Sequence, residues 1–248
     1  MYHSLDRSGS PISLDPEIFA RHIQWLASGR VRVLPLERLS GDTGNGDAVA
    51  LTFDDAFVSF ADVAAPLLVE YDLPATVFVV SGRVGGTNAW GDATDPRIPT
   101  LPLLSWDGIC ELARNGFAIG GHTRSHPHLG AVSDAQTTDE IAGCAEDIYR
   151  HVGLRPATFA YPYGDSTDNA IGCVRDHYAY ACTTDLRVLT SREDPALIPR
   201  LDAYYFQKAG SIESGGSPAF SRFVRRRAFA RRIRRRIRDG MRGAGKVT

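Results

Sequence analysis

An α/β domain is the fold class this sequence predicts, and three observations predict it. Short apolar runs at 51–53, 75–80, 117–119, 158–161 and 178–183 alternate with longer segments whose apolar residues recur at helical spacing. Strand-like runs separated by helical ones imply parallel pairing with helices as the crossovers. The 248 residues, 43% of them hydrophobic, are enough for one sizeable core, which suits a single domain of barrel size. Periodicity reaches the α/β class and goes no further.

In chain order, Met1-Tyr2-His3 reads as the end of a first strand and Ser4 to Leu14 as a loop containing Gly9 and Pro11. Asp15-Pro16 caps a helix that runs to about Ser28, with Phe19, Ile23 and Leu26 on its buried face. Arg32 to Leu36 reads as a short strand and Gly41 to Asp47 as a loop, while alternating Val49, Leu51 and Phe53 mark the strand that ends in Asp54-Asp55. Phe60, Val63, Ala64, Leu67, Leu68 and Tyr71 predict a helix, and Ala75 to Val80 a β-branched strand.

Gly82 to Leu104 has no periodicity and is long for a loop, which predicts a substrate-facing insertion. Trp90 within it has two readings, a platform for a sugar ring or a loop aromatic packed on the barrel rim. Ser105 to Asn115 reads as a capped helix with Trp106, Ile109 and Ala113 inward, ended by Gly116. Ser133 to Val152 reads as the longest helix, with Ile141, Ala145, Ile148 and Val152 on one face. Strand Thr158 to Tyr161, helix Thr167 to Asp176, strand Tyr178 to Thr183 and segment Ala196 to Ala203 complete the pattern.

Chemistry concentrates at two strand ends. Adjacent like charges at Asp54 and Asp55 are retained in open solvent, by a shared proton or by a bound cation. Further ligands for a cation stand in the second stretch, Gly120-Gly121-His122-Thr123-Arg124-Ser125-His126-Pro127-His128-Leu129. Its first two histidines are four apart, and with one carboxylate they make a facial set that leaves metal positions free for water and substrate. Cys110, Cys144, Cys173 and Cys182 show no C-x-x-C pairing, so reduced thiols are expected rather than a disulfide framework or a cysteine metal site.

Thr52-Phe53-Asp54-Asp55, then His122 to Leu129, then Phe159-Ala160-Tyr161-Pro162-Tyr163-Gly164, resembles the polysaccharide deacetylase family (NodB homology, carbohydrate esterase family 4) in motif and order. The similarity covers roughly residues 1 to 205. It implies a distorted (β/α)7 barrel, here at 1–210, and a divalent metal held by Asp55, His122 and His126. Zn²⁺ is the first expectation, with Co²⁺, Ni²⁺ or Fe²⁺ compatible.

The resemblance also makes Asp54 the general base and the backbone N–H of Tyr163 the oxyanion donor. The family's late Leu-x-His acid motif is missing. Tyr2-His3 instead resembles the N-terminal tyrosine-histidine pair of the circularly permuted branch, which includes the poly-β-1,6-N-acetylglucosamine deacetylases, and this gives His3 the acid role. Where the family has an arginine that orients the base, this chain has Ala160; Arg200 is the candidate replacement, and an ordinary structural arginine the other reading.

The implied function is metal-dependent hydrolysis of an N-acetyl group on a sugar of a polysaccharide or glycan precursor, with an N-acetylated carbohydrate as partner. The same chemistry on a small amide, imide or O-acetyl ester is the alternative within enzymes, and a catalytically inactive membrane-associated scaffold the alternative outside them.

Charge divides the chain. From Arg222 onward 12 Lys plus Arg face Asp239 alone, a net +11, against a net −12 before it. Phe229, Ile233, Ile237 and Met241 recur every four residues among arginines, so 211–248 reads as linker and basic amphipathic tail. An anionic membrane surface contacted through 222–242 is the first reading. Docking on the acidic body or a solvated tail are the others, and no nucleic acid is expected. No run resembles a signal peptide or reaches the length of a membrane span, so a cytoplasmic location, peripheral at the inner membrane face, is expected.

Overall fold

The amino-terminal residues lie in the barrel wall. Tyr2 bridges Phe53 in parallel: the Tyr2 N–H donates to the Thr52 carbonyl at 2.8 Å and the Asp54 N–H to the Tyr2 carbonyl at 2.9 Å. A computed structural model describes every residue except 40, 43, 91–94, 191 and 245–248, and for 234–244 the helical backbone alone.

After Tyr2 come β1 (Ser4–Leu5), β2 (Ser13–Leu14), α1 (Pro16–Ala27), β3 (Arg32–Val33), α2 (Leu36–Leu39), β4 (Ala48–Val49) and β5 (Leu51–Phe53). Then follow α3 (Ala65–Glu70), entered through a wide turn at Phe60–Ala64, β6 (Ala75–Val79), α4 (Trp106–Arg114), β7 (Ala118–Gly121) and α5 (Asp134–Val152). Finally come β8 (Thr158–Ala160), α6 (Asp168–His177), β9 (Tyr180–Cys182) and α7 (Pro218–Ala244).

The sheet order β5-β6-β7-β8-β9 is parallel throughout. It curls into a distorted (β/α)7 barrel because both edges are extended. Tyr2 flanks β5, Ile198 bridges Cys182 beyond β9, and the two flanks meet where the Met1 nitrogen donates to the Leu201 carbonyl at 2.8 Å and the Ala203 N–H to the Met1 carbonyl at 3.0 Å.

Packing fixes the strand that ends in the aspartates. Phe53 lies at the centre of an aromatic cluster, stacked on Tyr2 at 5.0 Å and edge-on to Phe60 at 4.7 Å and Phe19 at 5.9 Å. Phe19, Phe53 and Phe60 are fully buried, and each contributes about 1.5–3 kcal/mol. On β7 two glycines are required by close approach: a Cβ on Gly121 would sit 2.4 Å from the Tyr178 hydroxyl, and one on Gly120 2.5 Å from the Phe78 ring. The pair lets α6 and the sheet close behind the histidine motif.

Three sequence expectations are corrected. Residues 4–14 are not all loop, because β1 and β2 pair in parallel within them. The strand expected over Arg32 to Leu36 stops at Val33, after which Leu36 begins a helical turn and buries its side chain. The longest helix is α7 with 27 residues, not α5 with 19, because arginine-rich sequence has good helix propensity even with a narrow apolar stripe. The side chains of Ile237, Met241 and the arginines from 234 onward lie outside the described residues.

Candidate active site

Asp54 and Asp55 leave β5 in different conformations and face different partners. Asp54, 3% exposed, receives the guanidinium of Arg200 end-on, Nη1 to Oδ1 at 2.5 Å and Nη2 to Oδ2 at 2.8 Å. Arg200 is itself buried, its Nε donating to the Thr183 carbonyl at 3.0 Å. Burial alone would raise the Asp54 pKa; Arg200 beside it, helped by His122 and His3, outweighs burial and holds the carboxyl well below the usual carboxylate range. Arg200 thus reaches Asp54 from the segment beyond β9, across the closure of the barrel. His3, at the end of the N-terminal segment, brings Nε2 to 3.7 Å from Asp54 Oδ2.

Asp55 turns at φ 73° and Ala56 at φ 55°, which aims the second carboxylate away from Arg200. Its Oδ1 lies 3.4 Å from His122 Nε2 and 3.6 Å from His126 Nε2. His122 continues the hydrogen bonding of β7, its N–H donating to the Val79 carbonyl, and its Nδ1 donates to the Ala160 carbonyl at 2.6 Å, which leaves the Nε2 lone pair facing Asp55. His126 adopts φ 63° and its N–H donates to Thr123 Oγ1 at 3.0 Å.

The rest of the motif is held from α5. Glu140 accepts from the Arg124 and Ser125 N–H groups, both at 2.8 Å, while the Arg124 side chain pairs with Asp139 and Asp147. Gly143 on the same helix leaves room for the Arg124 guanidinium, which a Cβ would meet at 2.4 Å. Glu140, Asp139 and Asp147 were not singled out from sequence. The signal was there in part, as acidic residues at 139, 140 and 147 that fall near one side of a helix.

Asp55, His122 and His126 form a candidate metal centre: one ligand atom from each lies within 4.8 Å of the others, and all three residues are buried. The residues fit a cation on chemical grounds. Asp55 Oδ1 is buried without a hydrogen-bond donor, although two imidazole nitrogens stand close by. Burial lowers the His122 pKa to about 4 and that of His126 well below the ordinary value, so both rings are neutral and offer lone pairs. The Asp55 pKa is pushed well above the carboxylate range, first by burial and then by Asp54. A bound divalent cation would satisfy the three converging ligand atoms, and its charge would favour the ionised form of Asp55 that burial and Asp54 disfavour.

These residues line a cleft of roughly 480 Å³ together with Trp90, Tyr163 and Arg231. Trp90 packs on the rim and also lines the cleft, one face stacked on His126 at 4.4 Å. Tyr163 adopts φ 58° in the turn after β8, edge-on to His126 at 4.6 Å and stacked on His128 at 3.9 Å. His128 hydrogen-bonds Asp165 at 2.8 Å and stands outside the three-residue centre. Arg231, carried by α7, was not read from sequence as a cleft residue, because a repeat of arginines does not tell which of them faces the body.

The amino-terminal, motif and late segments thus meet in one cleft, and known proteins are similar to the chain in sequence and in fold. The Bacillus subtilis (strain 168) protein YxkH is 24% identical over 191 residues, which are 75% of this chain and 63% of that protein. The poly-beta-1,6-N-acetyl-D-glucosamine N-deacetylase of Staphylococcus epidermidis is 25% identical over 203 residues, 76% of this chain and 67% of that one. The chain spans about two thirds of the length of these relatives. Among solved structures, the Streptococcus pyogenes deacetylase PplD in complex with acetate superposes with a TM-score of 0.69 at 22% identity, covering 82% of this chain and 89% of that one. IcaB from Ammonifex degensii gives 0.66 at 24%, covering 82% and 91%. A family profile described as polysaccharide deacetylase matches residues 41–181, more than half of the chain and the span that holds Asp54, Asp55, His122, His126 and Tyr163, and on that match the chain belongs to the polysaccharide deacetylase family.

Proposed function

We propose that the chain hydrolyses the N-acetyl group of an N-acetylated sugar in a polysaccharide or glycan precursor. The observation that carries this reading is the pairing of two unlike carboxylates, Asp54 clamped and ionised by Arg200, Asp55 unpaired and facing two neutral histidines. A divalent ion on Asp55, His122 and His126, Zn²⁺ as first choice, would acidify water and polarise the acetyl carbonyl.

The chain's own groups divide the remaining work. Asp54 accepts the proton of the attacking water, and the backbone N–H of Tyr163 donates to the oxyanion formed from the carbonyl oxygen. His3 protonates the departing nitrogen, so the C–N bond breaks and acetate and a free amine leave. Burial lowers the His3 pKa and Asp54 opposes that shift, so Asp54 favours the protonated ring that this role requires. Trp90, beside His126, offers a ring face to the sugar.

Acetate release from tetra-N-acetylchitotetraose tests the proposal. Release that stops on chelation and returns with Zn²⁺ or Co²⁺ supports it. Absence of release from protein that binds the ion stoichiometrically would move the assignment to a small amide or to a non-catalytic role.

For α7 we infer contact with an anionic membrane surface. Phe229 and Ile233, 65% and 43% exposed, stand four residues apart, flanked by the exposed Arg225, Arg226 and Arg232.

A further inference from the structure

Helix α7 does not simply project from the barrel. Val224 is 3% exposed, Phe220 stacks on Phe206 at 5.5 Å, and Phe223 meets the same ring at 5.5 Å, so the first turns of the helix are seated on the body. Farther along, Ala228, Arg231 and Arg232 face the Thr184–Arg187 loop at the rim of the barrel. That placement carries one arginine over the rim. Arg231 lines the catalytic cleft with His3, Asp54, Asp55 and the two motif histidines.

Among the described residues, the aspartates that line the cleft all have partners. Asp54 is taken by Arg200, Asp95 by Arg97, and Asp202 accepts from the Tyr204 N–H at 3.0 Å. Asp55 faces the histidine pair. Arg231 Nη1, by contrast, is buried and has no hydrogen-bond partner among the described residues. A guanidinium nitrogen removed from water without an acceptor is unfavourable, and an arriving anion restores the lost bond.

We propose that Arg231 is a specificity-determining residue that binds an anionic substituent near the acetylated sugar, so that the preferred substrate is an anionic N-acetylated oligosaccharide. This rests on the deacetylase reading above and names its substrate class. The planar fork of arginine suits a carboxylate of a neighbouring acidic sugar and a phosphate ester equally.

Binding by titration calorimetry tests the proposal. Three probes are compared: neutral tetra-N-acetylchitotetraose, the same tetrasaccharide with a reducing-end phosphate, and a tetrasaccharide alternating N-acetylglucosamine with glucuronate. The full chain is expected to bind at least one anionic probe about tenfold more tightly than the neutral one, the size of a charge-assisted hydrogen bond. The anionic probe that gains identifies phosphate or carboxylate. Arg231→Ala should abolish the preference, Arg231→Glu should reverse it, and Arg231→Lys should restore part of it.

Equal affinities in the wild type, a preference that survives Arg231→Ala, or no binding of any probe would overturn the assignment. Acetate release from the neutral probe separates this failure from failure of the deacetylase reading. Release without an anionic preference leaves the hydrolase and removes the role of Arg231, whereas anionic preference without release does the reverse.

Discussion

Two neighbouring aspartates acquire opposite electrostatic characters from their partners alone. Asp54 and Asp55 differ by one position, yet Arg200 lowers the pKa of the first while burial and the first raise that of the second. The sequence marks the pair, but not the positive φ at Asp55 that separates their directions. Arg200 was harder to read, because it lies 146 residues from Asp54 and reaches it only across the closure of the barrel. Its removal has a defined cost. Arg200→Ala leaves a buried carboxylate unpaired and is expected to cost about 3–5 kcal/mol of stability in thermal or denaturant unfolding. Arg200→Lys keeps the charge without the two-pronged geometry, so it should stay folded and lose roughly 10- to 100-fold in kcat through misplacement of Asp54. Turnover by Arg200→Lys at the wild-type rate would show that Arg200 is structural only.

At the scale of elements, the alternating pattern made most helices and strands legible. The caps at Asp15 and Ser105 stand where the sequence places them, and Ser133 and Thr167, read from sequence as the first residues of their helices, are caps too, each of the four accepting from a backbone N–H of the first turn. The two-residue strands β1 to β4 were less legible, since so short a run carries no period. What α5 does for the histidine loop was also hidden: Glu140 and Asp147 act on residues of another element, and helical spacing alone reveals only a helix's own faces. Helix α7 showed its amphipathic pattern in sequence but not its seat on the body. Its membrane role is tested by flotation. The full chain should float with anionic vesicles and not with neutral phosphatidylcholine ones, and the double change Phe229→Ala with Ile233→Ala should weaken flotation by about tenfold or more, as expected for burying two large apolar side chains. Equal behaviour toward both vesicle types would remove the membrane proposal.

On the scale of the whole molecule, the barrel gathers residues from both ends of the chain at one mouth. His3 comes from the first segment, Asp54 and Asp55 from β5, His122 and His126 from the loop after β7, Tyr163 from the turn after β8, Arg200 from the segment beyond β9 and Arg231 from α7. Chemistry at the carboxyl ends of parallel strands is the expected location in α/β folds. The division of charge along the sequence also takes a structural form, because the basic helix is seated beside a cleft that contains acidic residues. The most direct test compares wild type with Asp54→Asn, both loaded with Zn²⁺ to measured occupancy, by acetate release from tetra-N-acetylchitotetraose. A metal centre built from Asp55, His122 and His126 with Asp54 as separate base predicts unchanged metal stoichiometry and a rate lower by about 10²- to 10⁴-fold. Full activity in Asp54→Asn, or loss of the metal together with the activity, would contradict that division of roles.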